Sequence, residues 1–378
     1  MRIEAAEIVR FSMPLVRPFR TSFGVQSHRD VLLVHLLTNV GEGWGECAAH
    51  ESPFYNDEFV DASDIVLERW MLPAVFAMSA ISGSEVATAI GHVKGYAAAK
   101  AAIEMAVIDA ELHGEGTRLA DYLGGDRDRV EVGVSVGIAD SIPQLLETVG
   151  GYVDQSYRRV KLKIEPGWDI EPVRAVRRQF KDLALQVDAN ASYSPTAIGH
   201  LKELDRLDLL MIEQPFAADD LEAHSQLSSL ISTPICLDES ILSTRSVISA
   251  LDSGACSIVN IKVGRVGGLL EAKRIHDLCR SRNVDVWCGG MLETGIGRAA
   301  NVALASLPGF TYPGDISGSD RYFEFDITEP FVANDSEIEV PIGPGLGVSV
   351  DESALAEYGA IRRVVLPWIH RESAGLKG

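Results

Sequence analysis

Long apolar runs, paired cysteines and positive charge are all scarce in this sequence. No stretch approaches the roughly 20 apolar residues of a membrane helix, so a protein without a helical membrane span is expected. Residues Met1 to Val9 alternate like a strand and lack the basic and apolar blocks of a secretory signal. The five cysteines, Cys47, Cys236, Cys256, Cys279 and Cys288, are odd in number and form no Cys-x-x-Cys pair, which argues against zinc and dithiol chemistry. Cys236 and Cys288 fall in expected strands, so core thiols and a cytoplasmic location are the expectation. Basic residues number 34 against 54 acidic ones, and the formal net charge of -20 repels nucleic acid and anionic membranes. Neither a Gly-x-Ser-x-Gly elbow nor a Cys and His pair offers a covalent nucleophile. The glycines of 264–268 and 295–297 lack both the Walker and the dinucleotide-binding spacing.

What is present is a period. Lys163, Asp188, Glu213, Asp238 and Lys262 follow one another at steps of 25, 25, 25 and 24 residues. That step is about the length of one strand, turn and helix, so each unit of a β/α repeat contributes one charged residue at the same place. Each of the five closes an apolar run, as a residue at the carboxyl end of a parallel strand does. In a barrel those ends converge on one face, and three carboxylates flanked by two ammonium groups then line one pocket. A lone charged residue at a strand end is ordinarily a turn former or helix cap; five in register are harder to explain that way.

The 378 residues, 46% hydrophobic with mean hydropathy +0.09, suffice for a barrel and a smaller second domain. The expected fold class is α/β: a modified TIM barrel, (β/α)7β, with an α+β capping domain made from the N-terminal region and the C-terminal tail. Residues 1–125 would form the cap, 126–320 the barrel, and 321–378 a segment that returns to the cap. Barrel strands are expected at Val130, Val160, Leu183, Leu209, Ile235, Ile258 and Val284, with a short eighth near Phe310. Residues 18–24 read as a loop whose Phe19 and Phe23 either join the cap's core or cover a substrate. Ala97 to His113 is the clearest helix, with Gly114 to end it; its Glu104, Asp109 and Glu111 read as solvated or capping charges.

Asp188, Glu213 and Asp238 are hard oxygen ligands with no accompanying His or Cys, which favours Mg²⁺ or Mn²⁺ over zinc. A divalent ion on a substrate carboxylate stabilises the enediolate left when the adjacent carbon loses its proton. That removal needs a base, and a neutral lysine can serve if neighbouring positive charge lowers its pKa. Lys161 and Lys163 share one strand face, and the charge of Lys161 lowers the pKa of Lys163. The alternative is a lysine pair on a solvated face. Lys262, four strands further, faces Lys163 across an eight-stranded ring, so one amine can remove a proton and the other deliver one.

With Lys161-Leu162-Lys163 and the distant Lys262, the chain resembles the enolase superfamily in its muconate lactonizing subgroup. The segments 19–24, 289–297, 313–315 and 319–323 are similar to the o-succinylbenzoate synthase and N-succinylamino acid racemase branch, and Ala101 to Gly125 to the superfamily's junction of cap and barrel. The resemblance implies Lys163 and Lys262 as acid/base residues and Asp188, Glu213 and Asp238 as metal ligands. It also implies Ser135, Gly290 and Met291 near the substrate, and a homo-oligomer, dimer or octamer. Arg265 and Lys161 are supporting cations, with Arg265 expected to hold Lys262 partly neutral; Asn190, Glu239 and Asn260 are further polar candidates. This chain departs from the branch at Val263, where proline is common, and at His50, where an apolar residue is common. His50 either contacts a polar substrate group or is an exposed loop residue.

The expected activity is abstraction of a proton beside the carboxylate of a small-molecule substrate. Loss of a β-hydroxyl then gives o-succinylbenzoate for menaquinone synthesis, with racemisation of N-succinyl or other N-acylamino acids at the same site. A dedicated N-acylamino acid racemase is the alternative. Dipeptide epimerases and cycloisomerases are further relatives, the former disfavoured because no Asp-x-Asp follows the last barrel strand. A barrel that binds metal and ligand without catalysis is the reading from a different class.

Overall fold

The structure, a computed structural model, describes residues 1–367; residues 368–378 of the expected returning segment lie outside the described residues. Three antiparallel strands open the chain: β1 (Ile3–Thr21), β2 (Gly24–Thr38) and β3 (Gly41–Cys47). Their alternation of apolar and polar residues buries one face against the helix Ala97–Glu115. At Gly43 and Gly45 any Cβ would come within 2.1 Å and 1.9 Å of the carbonyl oxygens of Ala106 and Ala102, so only glycine lets the helix approach this closely.

The helix runs to Glu115, past the expected stop at Gly114. It is Gly116, at φ 69°, that takes the left-handed turn and donates to the His113 carbonyl. Of Glu104, Asp109 and Glu111, two are caps, as expected. Glu111 accepts from the Gly83 N–H at 2.8 Å, and Glu104 accepts from the Leu270 N–H at 3.2 Å, at the start of a barrel helix. Asp109 is neither solvated nor a cap: it is buried and joins the Trp44 N–H of β3 to the Leu346 N–H of the returning segment.

The expected loop over residues 18–24 is a β-hairpin. Strand pairing runs to Thr21 opposite Gly24, after a register shift between Pro14 and Phe19. Two prolines that cannot donate to the ladder loosen it there and let the ribbon bend. Its tip reaches the barrel, where the Arg20 carbonyl accepts from the Ile138 N–H at 2.9 Å.

Seven parallel strands follow: β5 (Val134–Val136), β6 (Arg159–Lys163), β7 (Ala184–Asp188), β8 (Ile212–Glu213), β9 (Ile235–Leu237), β10 (Ile258–Ile261) and β11 (Asp285–Cys288). They lie in chain order, each beside the next. The segment Phe310–Asp315 bridges β11 at Val286 and the approach to β5 at Val132, so the short eighth element closes the ring. Val130 is not in the barrel. It belongs to β4 (Arg129–Glu131), which pairs antiparallel with β12 (Glu337–Glu339), and the first barrel strand begins after Gly133. Both stretches are equally rich in valine, and composition alone does not separate them. The last described strand, β13 (Ile361–Val365), pairs with β1 at the edge of the cap sheet.

Cap and barrel are joined through Glu46 of β3, whose carboxylate accepts from the hydroxyl and N–H of Thr294 at 2.7 and 3.1 Å. Among the described residues no helix is long and apolar enough to cross a membrane.

Burial of the Glu104 carboxyl raises its pKa from 4.5 to about 7, against the opposing pull of the Leu270 and Leu269 N–H groups. Folding therefore holds a proton between those values, and the stability this provides is present below about pH 4.5 and lost as pH rises through about 7. The variant Glu104→Gln is expected to gain on the wild type between pH 5 and pH 8, by up to about 3 kcal/mol, in paired urea titrations.

Candidate active site

The inward faces of the barrel strands stack in levels. At the bottom Met211, Cys236, Ile258 and Trp287 form a small apolar floor, with the Trp287 indole N–H donating to Cys236 Sγ at 3.2 Å. All five cysteines are free and buried, Cys236 and Cys288 in barrel strands as expected. Above the floor the interior is polar, because the parallel register places Ser135 beside Lys161, Lys161 beside Gln186, Lys163 beside Asp188, and Asp188 beside Glu213.

Lys161 is the hub of the middle level. Its ammonium lies 2.5 Å from Asp315, 3.0 Å from Asp188 and 3.0 Å from Glu213, and sits over the Trp287 ring. Burial works to strip its charge, yet those three carboxylates outweigh burial and hold it well above the usual lysine range. Arg159 pairs with Asp315 at 2.6 Å from below. Glu213 accepts further bonds from Asn260 at 2.8 Å and Gln186 at 3.2 Å.

At the upper level Lys163 donates to Asp188 and to the side-chain amide oxygen Oδ1 of Asn190, each at 2.6 Å. Its pKa is lowered, first by burial and then by the charges of Lys161 and Lys262, which together outweigh the pull of Asp188 and Glu213. The expected influence of Lys161 is present, but burial is the larger cause. Across the ring, Lys262 donates to Asp238 at 2.9 Å and to the Tyr55 hydroxyl at 3.0 Å. Burial opposes its charge as well, but Tyr55, Glu239 and Glu213 hold it above the ordinary lysine range. The like-charge pressure expected from Arg265 is absorbed, because Arg265 and Lys262 share the Asp238 carboxylate. Arg265 is also anchored to the carbonyls of Asn260 and Ile241 at 2.6 and 2.8 Å.

A small chamber of about 60 Å³ opens between the two lysines. Lys161, Lys163, Asn190 and Lys262 line its barrel side, together with Ser135, Gly290 and Met291. Phe19, Phe23 and His50 close it from the cap. The carboxylates Asp188, Glu213 and Asp238 do not line the chamber; they lie beneath it, fully buried, each bound to a lysine or arginine. Glu239 and Arg265 face a different and larger cleft, about 790 Å³, between cap and barrel, and Tyr55 lines both spaces.

The donor set beneath the chamber fits a hard divalent cation: three carboxylates on consecutive strands, with no nitrogen or sulfur ligand. Beside them two further buried oxygens, Glu239 Oε2 and Asn260 Oδ1, have no protein hydrogen-bond donor. The side chains of Asp188, Glu213 and Asp238 are turned onto lysines, and their oxygens do not gather within 4.8 Å of one another. Among the described residues, the metal-type trio whose donor atoms all lie within 4.8 Å is instead His28, Asp30 and Glu51, on the cap surface.

Sequence reasoning missed Tyr55, Arg159, Asp315 and Gln26. Asp315 stands in the 313–315 segment that carried the family resemblance, and Arg159 continues the alternation of Lys161 and Lys163. Tyr55 and Gln26 had no signal, since they reach the site from irregular or cap positions distant in sequence.

The chain belongs to the enolase superfamily. Residues 4–124 match the mandelate racemase / muconate lactonizing enzyme N-terminal domain, and residues 144–354 match the enolase C-terminal domain-like family. More particularly, it is 54% identical to an N-succinylamino acid racemase of Amycolatopsis, over 92% of this chain and 95% of that one. It is 44% identical to an o-succinylbenzoate synthase of Geobacillus stearothermophilus, over 96% of this chain and 98% of the relative. The crystal structure of an enolase superfamily member from Listeria innocua superposes with TM-score 0.93 at 39% identity, covering 97% of this chain and 99% of that one.

Removing Asp315 leaves Arg159 and Lys161 buried with less compensation. Asp315→Ala is expected to lower stability by about 3–5 kcal/mol in urea denaturation. Pairing it with Arg159→Met should recover part of that loss; no recovery would mean that the two side chains are not energetically coupled.

Proposed function

We propose that this chain removes a proton beside the carboxylate of a small substrate, with Lys163 and Lys262 as the two proton-handling groups. The observation that carries this reading is their placement: two lysines from opposite sides of one barrel, facing the same small chamber above three buried carboxylates. Asp188, Glu213 and Asp238 are the residues that would hold Mg²⁺ or Mn²⁺. When bound, such an ion supplies positive charge that stabilises the enediolate oxygens of the substrate.

The two lysines differ in a way that suits the chemistry. Lys163 must be neutral to accept a proton, and its lowered pKa favours that form. Lys262 is held as the ammonium on the opposite side, where it supports negative charge or delivers a proton. In dehydration Lys163 takes the α-proton and returns it to the departing β-hydroxyl, which leaves as water. In racemisation Lys163 takes the proton from one face and Lys262 gives one to the other.

Both reactions therefore use one arrangement, and the relatives divide between them. We assign o-succinylbenzoate synthase activity, in menaquinone synthesis, with N-succinylamino acid racemase activity at the same site. A dedicated racemase is the second reading, favoured by the 54% identity to the Amycolatopsis racemase.

The test is turnover with Mg²⁺ or Mn²⁺ of the cyclohexadiene precursor of o-succinylbenzoate beside N-succinyl-L-phenylalanine in D₂O. Fast dehydration with slow racemisation supports the synthase, and the reverse supports the racemase; neither, with no α-deuteration, defeats both. Lys163→Ala and Lys262→Ala are each expected to lower racemisation by about 10²–10⁴-fold. Dehydration is expected to survive better in Lys262→Arg, which keeps the charge, than in Lys163→Arg. Chelation by EDTA should abolish turnover, and Mg²⁺ should restore it.

A further inference from the structure

The cap side of the chamber carries one polar pair among aromatic rings. The His50 ring lies 6.3 Å edge-on from Phe23 and 5.5 Å from Tyr55. Its backbone is pinned on both sides, because the Ala49 carbonyl accepts from buried Arg29 and the His50 carbonyl accepts from the Val60 N–H at 2.8 Å. His50 Nδ1 faces the Gln26 amide nitrogen at 3.3 Å. An amide nitrogen can only donate, so Nδ1 accepts and the imidazole proton sits on Nε2. No protein group among the described residues accepts that proton.

His50 and Gln26 border two connected spaces. One is the chamber between the lysines; the other, about 120 Å³, is a pocket of the cap that shares Thr21 and the rings of Phe19, Phe23 and Tyr55 with it and is completed by Val25, Phe54 and the polar Glu51 and Ser52. A substrate that presents its carboxylate and reacting carbon to Lys163 and Lys262 has its far end here. The ring is neutral in this setting: burial, followed by the charges of Arg29, Lys262 and Lys163, pushes its pKa down to about 3. Of these, Arg29 and Lys262 keep their charge beside the ring and make its chamber side favourable to an electron-rich group.

We propose that His50, oriented by Gln26, is a specificity-determining hydrogen-bond donor of the cap that selects substrates with an acceptor oxygen at the end remote from the reacting carbon. This rests on the reading of the chamber as an α-proton abstraction site. The oxygen can belong to the acyl group or to the side chain of an N-acylamino acid, and two matched pairs distinguish these sources.

The experiment measures kcat/KM for α-deuteration in D₂O with Mg²⁺, in the wild type, His50→Met and His50→Gln. N-succinyl-L-phenylalanine against N-pentanoyl-L-phenylalanine places the oxygen on the acyl group. N-pentanoyl-L-glutamine against N-pentanoyl-L-norleucine places it on the side chain. In His50→Met, the oxygen-bearing member of one pair is expected to lose about 10- to 100-fold more than its apolar partner, and the affected pair identifies the source. His50→Gln, which keeps an N–H donor, should recover part of that difference. Equal losses within both pairs, or no loss in either, would overturn the proposal while leaving the proposed activity standing. Exchange of none of the four by the wild type, with no dehydration of the cyclohexadiene, would defeat the activity itself and the inference with it.

Discussion

Charge compensation inside the barrel is the constraint on which the rest depends. Arg159, Lys161, Lys163, Lys262 and Arg265 are all buried, and moving an ammonium or guanidinium out of water costs several kcal/mol unless partners are in place. The partners are Asp188, Glu213, Asp238 and Asp315, and the parallel ladder brings them to the same levels. Lys161 is surrounded by three of them, whereas Lys163 has one carboxylate and one amide oxygen. Uneven compensation, more than any single contact, separates a lysine that stays charged from one whose charge is poorly supported.

That polar interior needs a cover, and the cap provides it through backbone geometry. Glycines at 43 and 45 let the long helix press against β3, while Glu46 in the same strand fixes the cap to the Thr294 turn of the barrel. The bent β1 and β2 hairpin then hangs over the strand ends and brings Phe19 and Phe23 to the chamber. Aromatic rings and the half-buried His50 thus form one wall, and ionised groups the other. A substrate has to match both.

The strand ends were legible because a repeating unit of constant length keeps chemically equivalent residues in phase. Lys163, Asp188, Glu213, Asp238 and Lys262 all stand where their spacing put them. Less legible were elements whose composition suits two roles. Val130 has the same neighbours in sequence as a barrel strand would, and only pairing with β12 shows it to be outside. Gly114 could end a helix as well as Gly116, and it is Gly116 that adopts the left-handed cap, one residue beyond Glu115. Asp315 and Tyr55 were not assigned, since neither belongs to the period.

The sequence by itself determined the repeat, the inward charge at each strand end and the family, because all three follow from local spacing and residue type. Tertiary structure alone decided which cation each carboxylate holds, that Arg265 and Lys262 share Asp238, and that His50, Gln26 and Tyr55 meet above the lysines. These depend on closure of the ring and on the angle of the cap. Both bring together side chains far apart in sequence, whose proximity no local pattern encodes.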